Sequence, residues 1–180
     1  LAVTRALGER GLDIVRFNFL YKEKRSNRPD PMPKLEETTA AVVARVRAEL
    51  RPTTLIIGGR SMGGRAASML AADGFDCSGL LLLAYPLHPA GRPDQLRDAH
   101  LPSIRVPVLC VNGTRDALCT PALMNSVITR VTAPWEMLWL DGADHSFHVL
   151  KSSGTTDAQV MANVADAAAR WVAGLHAVRA

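Results

Sequence analysis

Apolar residues along this chain fall into two kinds of segment that alternate. Short, nearly continuous runs cover residues 12–19 (Ile14, Val15, Phe17, Phe19), 53–57, 79–84, 106–111 and 135–140. Runs of this length that lack a polar alternate read as strands buried on both faces. Between them lie longer stretches whose apolar positions recur three and four residues apart. In residues 34–50 the stripe is Leu35, Val42, Val43, Val46 and Leu50, with Pro52 just beyond its end. In residues 157–176 it is Met161, Val164, Ala168, Trp171 and Leu175. These spacings predict helices with one buried face. Further helices are predicted over residues 1–10, 63–72 and 121–129, the last with Pro121 in its first turn. Strands that alternate with helices imply parallel βαβ units joined by right-handed crossovers. The expected fold class is therefore α/β, a mostly parallel sheet flanked by helices, with residues 1–180 forming one domain.

Composition adds few constraints. The chain has 180 residues, 48% apolar and 21% charged, an ordinary balance for a globular domain. No apolar run approaches the roughly 18 residues of a membrane helix, and no leader-like segment opens the chain, so no membrane association and a cytoplasmic location are expected. Three cysteines, Cys77, Cys110 and Cys119, show no C-x-x-C spacing and are expected to be reduced. Asn112-Gly113-Thr114 fits a glycosylation site but carries no weight without a secretory leader. The net charge is +4. A basic stretch over residues 22–28 has no interleaved aromatics and no accompanying nucleic-acid motif. It is read as a solvated loop, and no nucleic-acid partner is expected.

Candidate chemistry enters at Gly58-Gly59-Arg60-Ser61-Met62-Gly63-Gly64, which contains G-x-S-x-G. The motif follows the buried run Leu55-Ile56-Ile57 and precedes a helix-forming segment, and strand–sharp turn–helix is the setting in which this pentapeptide presents a nucleophilic serine. The glycines match neither G-x-G-x-x-G nor a phosphate loop ending in Gly-Lys-Ser/Thr. A serine hydroxyl needs a base within hydrogen-bond reach, and the base needs an acid to orient it. Asp116 follows the predicted strand at 106–111, and His145 follows the strand at 135–140. In a parallel sheet the loops after the strands share one edge, so Ser61, Asp116 and His145 are expected together, in the chain order Ser…Asp…His. Asp141 and Asp144 are weaker acid candidates because they neighbour the histidine. His145-x-x-His148 has metal-like spacing but no further matched ligands, so no metal is expected.

The segments Gly-Arg-Ser-Met-Gly-Gly-Arg (59–65), Tyr-Pro-Leu-His-Pro (85–89), Gly-Thr-Arg-Asp (113–116) and Gly-Ala-Asp-His-Ser-Phe (142–147) resemble the α/β-hydrolase group related to testis-expressed protein 30 and subunit 3 of the NSL acetyltransferase complex. Bacterial members are similar to dienelactone hydrolase. Arg16-Phe17-Asn18-Phe19 and Arg28-Pro29-Asp30 resemble the same group. The resemblance implies an N-terminal strand ending in a His-Gly-type loop, which donates one oxyanion N–H and lies between residues 12–19 and 53–57 in the sheet. No segment of this sequence corresponds to it. The chain is therefore expected to be an N-terminally shortened domain in which Met62 N–H is the remaining oxyanion donor. Residues 12–19 and 53–57 then either pair directly or leave a gap.

These readings together predict a serine hydrolase acting without a cofactor on a small-molecule acyl substrate, a carboxylic ester in the favoured case. Arg60, Arg65 and His88 lie near the site by sequence logic and are candidate contacts for an anionic substrate. The segment at 85–105 is too short for a lid domain, which leaves the site open. A peptidase similar to the prolyl oligopeptidase catalytic domain and a non-catalytic interaction module remain as alternatives. The oligomeric state is left open.

Overall fold

The structure is a computed structural model that describes the backbone of residues 2–177. Its elements run in the order α1 (Ala2–Gly8), α2 (Leu20–Glu23), α3 (Met32–Leu50), β1 (Ile56–Arg60), α4 (Met62–Ala72), β2 (Gly79–Leu83), β3 (Val108–Gly113), α5 (Pro121–Ile128), β4 (Trp135–Leu140) and α6 (Asp157–Ala177). Leu1, expected in the first helix, lies outside the described residues. The four strands form one parallel sheet in the order β1-β2-β3-β4. The α/β class read from the pattern is the fold observed.

Alternation along the strands sorts their side chains into two cores. Ile57, Leu80, Leu82, Val108 and Cys110 join the core on one face, with Val43 of α3, Ala67 and Ala71 of α4, and Met124 and Val127 of α5. Leu83, Leu109 and Val111 join the core on the other face, with Leu7 of α1 and Val160, Val164, Ala168 and Trp171 of α6. Burying each such Leu or Val contributes about 1.5–3 kcal/mol, and β2 is accordingly wholly apolar while β3 carries a single polar side chain, Asn112, near its end. A third, smaller cluster of Tyr21, Leu35 and Ala66, flanked by Phe19, Met32 and Met62, covers the start of α4.

One predicted strand is absent. Residues 13–18 form no strand and make no backbone–backbone hydrogen bond among the described residues. An apolar run becomes a strand only when a ladder satisfies its backbone, and no described strand lies beside this one. Of the two expected outcomes, direct pairing with β1 is therefore not the one observed. Instead the aromatic side chains of this segment pack locally: Phe17 and Phe19 meet edge to face, and Phe19 and Tyr21 stack. β1 also departs from expectation. It covers Ile56–Arg60 rather than 53–57, because Gly58 and Gly59 continue the ladder on Leu81 and Leu82 before the turn begins.

Candidate active site

β1 ends at Arg60 and the chain turns sharply at Ser61, which has φ 52° and ψ −115°. A non-glycine residue held in such a conformation costs about 1–3 kcal/mol and persists only where its surroundings enforce it. The enforcement is visible. Ser61 N–H donates to Leu83 O at the end of β2, at 2.8 Å. Gly59 and Gly64 sit so close that a Cβ on Gly64 would lie 2.7 Å from Gly59 O. The turn places Ser61 at the N-terminal cap of α4. Met62 is the first residue of that helix, so its N–H has no carbonyl within the helix to meet.

His145 lies five residues after β4, in a tight loop over residues 141–149. Asp144 shapes this loop from within. Its Oδ1 accepts N–H groups from Ser146 at 2.7 Å and His148 at 3.1 Å. Asp144 N–H donates to His148 O, and Ala143 bridges to Val149. The loop can settle on the top of β3 because Gly113 has no side chain; a Cβ there would lie 2.1 Å from Ala143 O.

Asp116 follows β3, and its side chain is fully buried. Its Oδ1 accepts Leu118 N–H at 2.8 Å, and its Oδ2 accepts Asn112 Nδ2 at 3.2 Å. Oδ2 also meets His145 Nδ1 at 2.8 Å. An ionised carboxylate only accepts, so the imidazole carries its proton on Nδ1 and presents Nε2 as an acceptor. Nε2 lies 3.0 Å from Ser61 Oγ. The three side chains expected together thus form one hydrogen-bonded relay, from a buried carboxylate through a half-exposed imidazole to a serine hydroxyl. Asp141 and Asp144, the weaker acid candidates, are engaged elsewhere: Asp141 with Thr114, and Asp144 with the backbone of its own loop.

The sequence signature of the alpha/beta hydrolase domain family matches residues 1–173. This chain belongs to that family. Among solved structures, the fold is similar to an alpha-beta serine hydrolase homologue from Coxiella burnetii. Identity is 23% and the TM-score 0.72, over 94% of this chain and 73% of that one. It is similar to a serine hydrolase without a lid from Xanthomonas campestris at 22% identity and a TM-score of 0.70, covering 94% and 72% of the two chains. A dienelactone hydrolase from Anabaena variabilis matches at 21% identity and a TM-score of 0.70, covering 94% and 75%.

Within this α/β-hydrolase domain the other candidate residues are placed less directly. His88 is buried, and both ring nitrogens are occupied. Nε2 accepts Thr120 N–H at 3.1 Å, and Nδ1 donates to Pro89 O at 3.0 Å. It has no nitrogen left for a substrate and instead ties residues 88–89 to the start of α5. Arg65 is half-buried on α4, its Nε without a partner among the described residues, and its charge acts on Glu36, Tyr85, Arg97 and His100. Arg60 donates to His145 O at 2.8 Å and lies over the Phe147 ring, 5.9 Å from its centroid. His148 pairs with Asp157 at 2.9 Å. The three thiols are free and buried; burial pushes Cys77 up to about 11 and Cys119 up to about 12, so neither offers a thiolate.

Sequence reasoning missed Asn112. It is fully buried, and its amide joins four groups: Oδ1 accepts Tyr85 N–H at 3.1 Å and, more weakly, Cys110 Sγ at 3.4 Å, while Nδ2 donates to Tyr85 O at 3.1 Å and to Asp116. The available signal was an amide at the end of an otherwise apolar strand, four residues before the acid.

Proposed function

We propose that this domain is a serine hydrolase that cleaves a small carboxylic ester through an acyl-enzyme. Ser61 Oγ attacks the ester carbonyl as its proton passes to His145 Nε2. Asp116 stabilises the imidazolium that forms. Met62 N–H, at the positive end of α4, faces the oxyanion. His145 then returns the proton to the leaving alcohol, and water, activated by the same imidazole, releases the acid. The carrying observation is the continuous relay Asp116–His145–Ser61 around a serine held at positive φ. An inert scaffold has no need of that strain. A small substrate fits the placement of residues 85–104, whose Tyr85, Leu87, Leu101 and Ile104 are buried in the core rather than arched over the serine.

The test is labelling with a fluorophosphonate, followed by an ester panel of increasing acyl length. Wild-type protein is labelled at Ser61 and hydrolyses short-chain aryl esters, while Ser61→Ala does neither. Equal labelling of Ser61→Ala, or unchanged turnover by it, removes this reading and leaves a fold used for binding.

A further inference from the structure

We infer that Arg60 is a positioning residue that sets the distance between the nucleophile and the base; the inference rests on the hydrolase reading above. The sheet itself does not fix that distance. β1, which carries Ser61, and β4, which carries the loop of His145, are the two outer strands, with β2 and β3 between them. Strands lie about 4.8 Å apart, so the tops of β1 and β4 are separated by roughly 14 Å. The 141–149 loop must reach back across the sheet, and no ladder joins it to the turn at Ser61. Among the described residues, two hydrogen bonds span from residues 58–64 to that loop. One is the catalytic contact Ser61–His145, and the other is Arg60 Nη2 to His145 O. The second leaves the residue before the nucleophile and ends on the carbonyl of the base itself.

The strand pattern explains how Arg60 comes to face its target. Ile57 packs into the core beside α4, so Ile56, Gly58 and Arg60 point to the opposite face. Ile56 joins the core that contains Ala143, Phe147 and Val149 of the histidine loop. Arg60 therefore lands on Phe147, whose backbone is held at φ 64° and whose buried ring supports the guanidinium from below. A planar guanidinium can lie on a ring and donate to a carbonyl at once, which an ammonium does less well. With its charge directed at a backbone carbonyl of the loop, Arg60 acts through His145 rather than on substrate.

The experiment compares wild type with Arg60→Met and Arg60→Lys, using a neutral and an anionic aryl ester of equal acyl length. Arg60→Met keeps the apolar stem over Phe147 and removes the donor. A misplacement near 1 Å costs about 100-fold in rate, so kcat and the fluorophosphonate labelling rate fall about 10- to 100-fold for both esters, with KM nearly unchanged. Arg60→Lys recovers part of that loss. If Arg60→Met melts below the assay temperature, Arg60→Gln, polar but too short to reach, carries the same test. A rise in KM confined to the anionic ester makes Arg60 a substrate contact and overturns the proposal, as does a kcat within about twofold of wild type. These results are distinct from failure of the hydrolase reading, in which wild type itself neither labels nor turns over.

Discussion

Replacing Asn112 by Leu isolates the support beneath the acid. The two side chains share a branched outline of four heavy atoms and Leu is the bulkier, so the change removes polar contacts without opening a cavity, and its added bulk acts in the same destabilising direction. Four hydrogen bonds vanish: those with Tyr85 N–H, Tyr85 O and Asp116 Oδ2, and a weak one from Cys110 Sγ. Tyr85 and Asn112 are fully buried, so water cannot replace the lost partners. Tyr85 N–H, left unpaired in the interior, costs about 2 kcal/mol, and the bond lost at Tyr85 O, which keeps Leu87 N–H, costs about 1 kcal/mol more, an expected loss of about 3 kcal/mol. In urea, with a slope of about 2 kcal/mol/M, the unfolding midpoint falls by about 1.5 M. Asp116 keeps Leu118 N–H and His145 but loses one donor to a charged oxygen, worth about 1.5 kcal/mol, or about tenfold in turnover. Equilibrium unfolding followed by tryptophan fluorescence, paired with kcat measured well below the transition, checks both numbers. A midpoint shift under about 0.3 M with unchanged turnover would refute the assignment of Asn112 as a strut for the acid.

Other perturbations separate neighbouring roles. Asp116→Asn, which favours the wrong imidazole tautomer, lowers kcat by up to about 10⁴-fold, whereas Asp144→Asn retains a carbonyl acceptor for its loop and stays within about threefold; the reverse ranking in steady-state kinetics means the relay runs through the wrong carboxylate. Gly64→Ala drives a methyl against Gly59 O, costs about 1–3 kcal/mol and slows fluorophosphonate labelling; an unchanged melting temperature contradicts this. His148 is raised from its usual value, first by its hydrogen bond to Asp157, and Asp157 is lowered, first by the same bond. The contribution of this clasp is therefore complete between the two ordinary values. It fades as pH rises through the raised His148 value and as pH falls through the lowered Asp157 value. Chemical denaturation should show His148→Gln more destabilising at about pH 5.5 than at about pH 8.5, and equal effects at both would sink it. His100 is lowered to about 4, chiefly by burial, so the unfolded chain takes up its proton first on acidification. Stability should fall as pH drops from about 6.5 towards about 4, and His100→Gln should flatten that limb.

The relay was legible in the sequence because each of its members stands just after a buried run, and a parallel sheet brings all such ends to one edge. The bounds of β4 and the end of α3 were equally plain, one closed by a change of pattern and the other by Pro52. Residues 12–19 look like a strand by the same criterion and are not one, since composition reveals apolar fit to a sheet but not whether a neighbour supplies the ladder. β1 was placed three residues early because Gly58 and Gly59 read as turn, and only the register with β2 shows that they are still strand. Arg60 was correctly put near the site, yet its contact lies 85 residues away in the chain. Periodicity gives the face of a side chain, not the loop that folds onto it. His88 was misplaced for a related reason: its Nδ1 turns back to the neighbouring Pro89 O, and its Nε2 is taken by Thr120, 32 residues away in the chain.

The order of strands in the sheet also sets the order in which the site comes apart. β2 and β3 are flanked on both sides, so their amides should exchange with solvent most slowly, while among the described residues β1 and β4 are each paired on one side. Asp116 follows β3, whereas Ser61 and His145 hang from the two strands of lower protection. Local opening at either border therefore dismantles the relay while the middle of the molecule stays closed. Activity should be lost at denaturant concentrations below those that abolish the far-ultraviolet signal. Amide exchange measured there should show residues 56–60 and 135–140 opening ahead of residues 80–83 and 108–111.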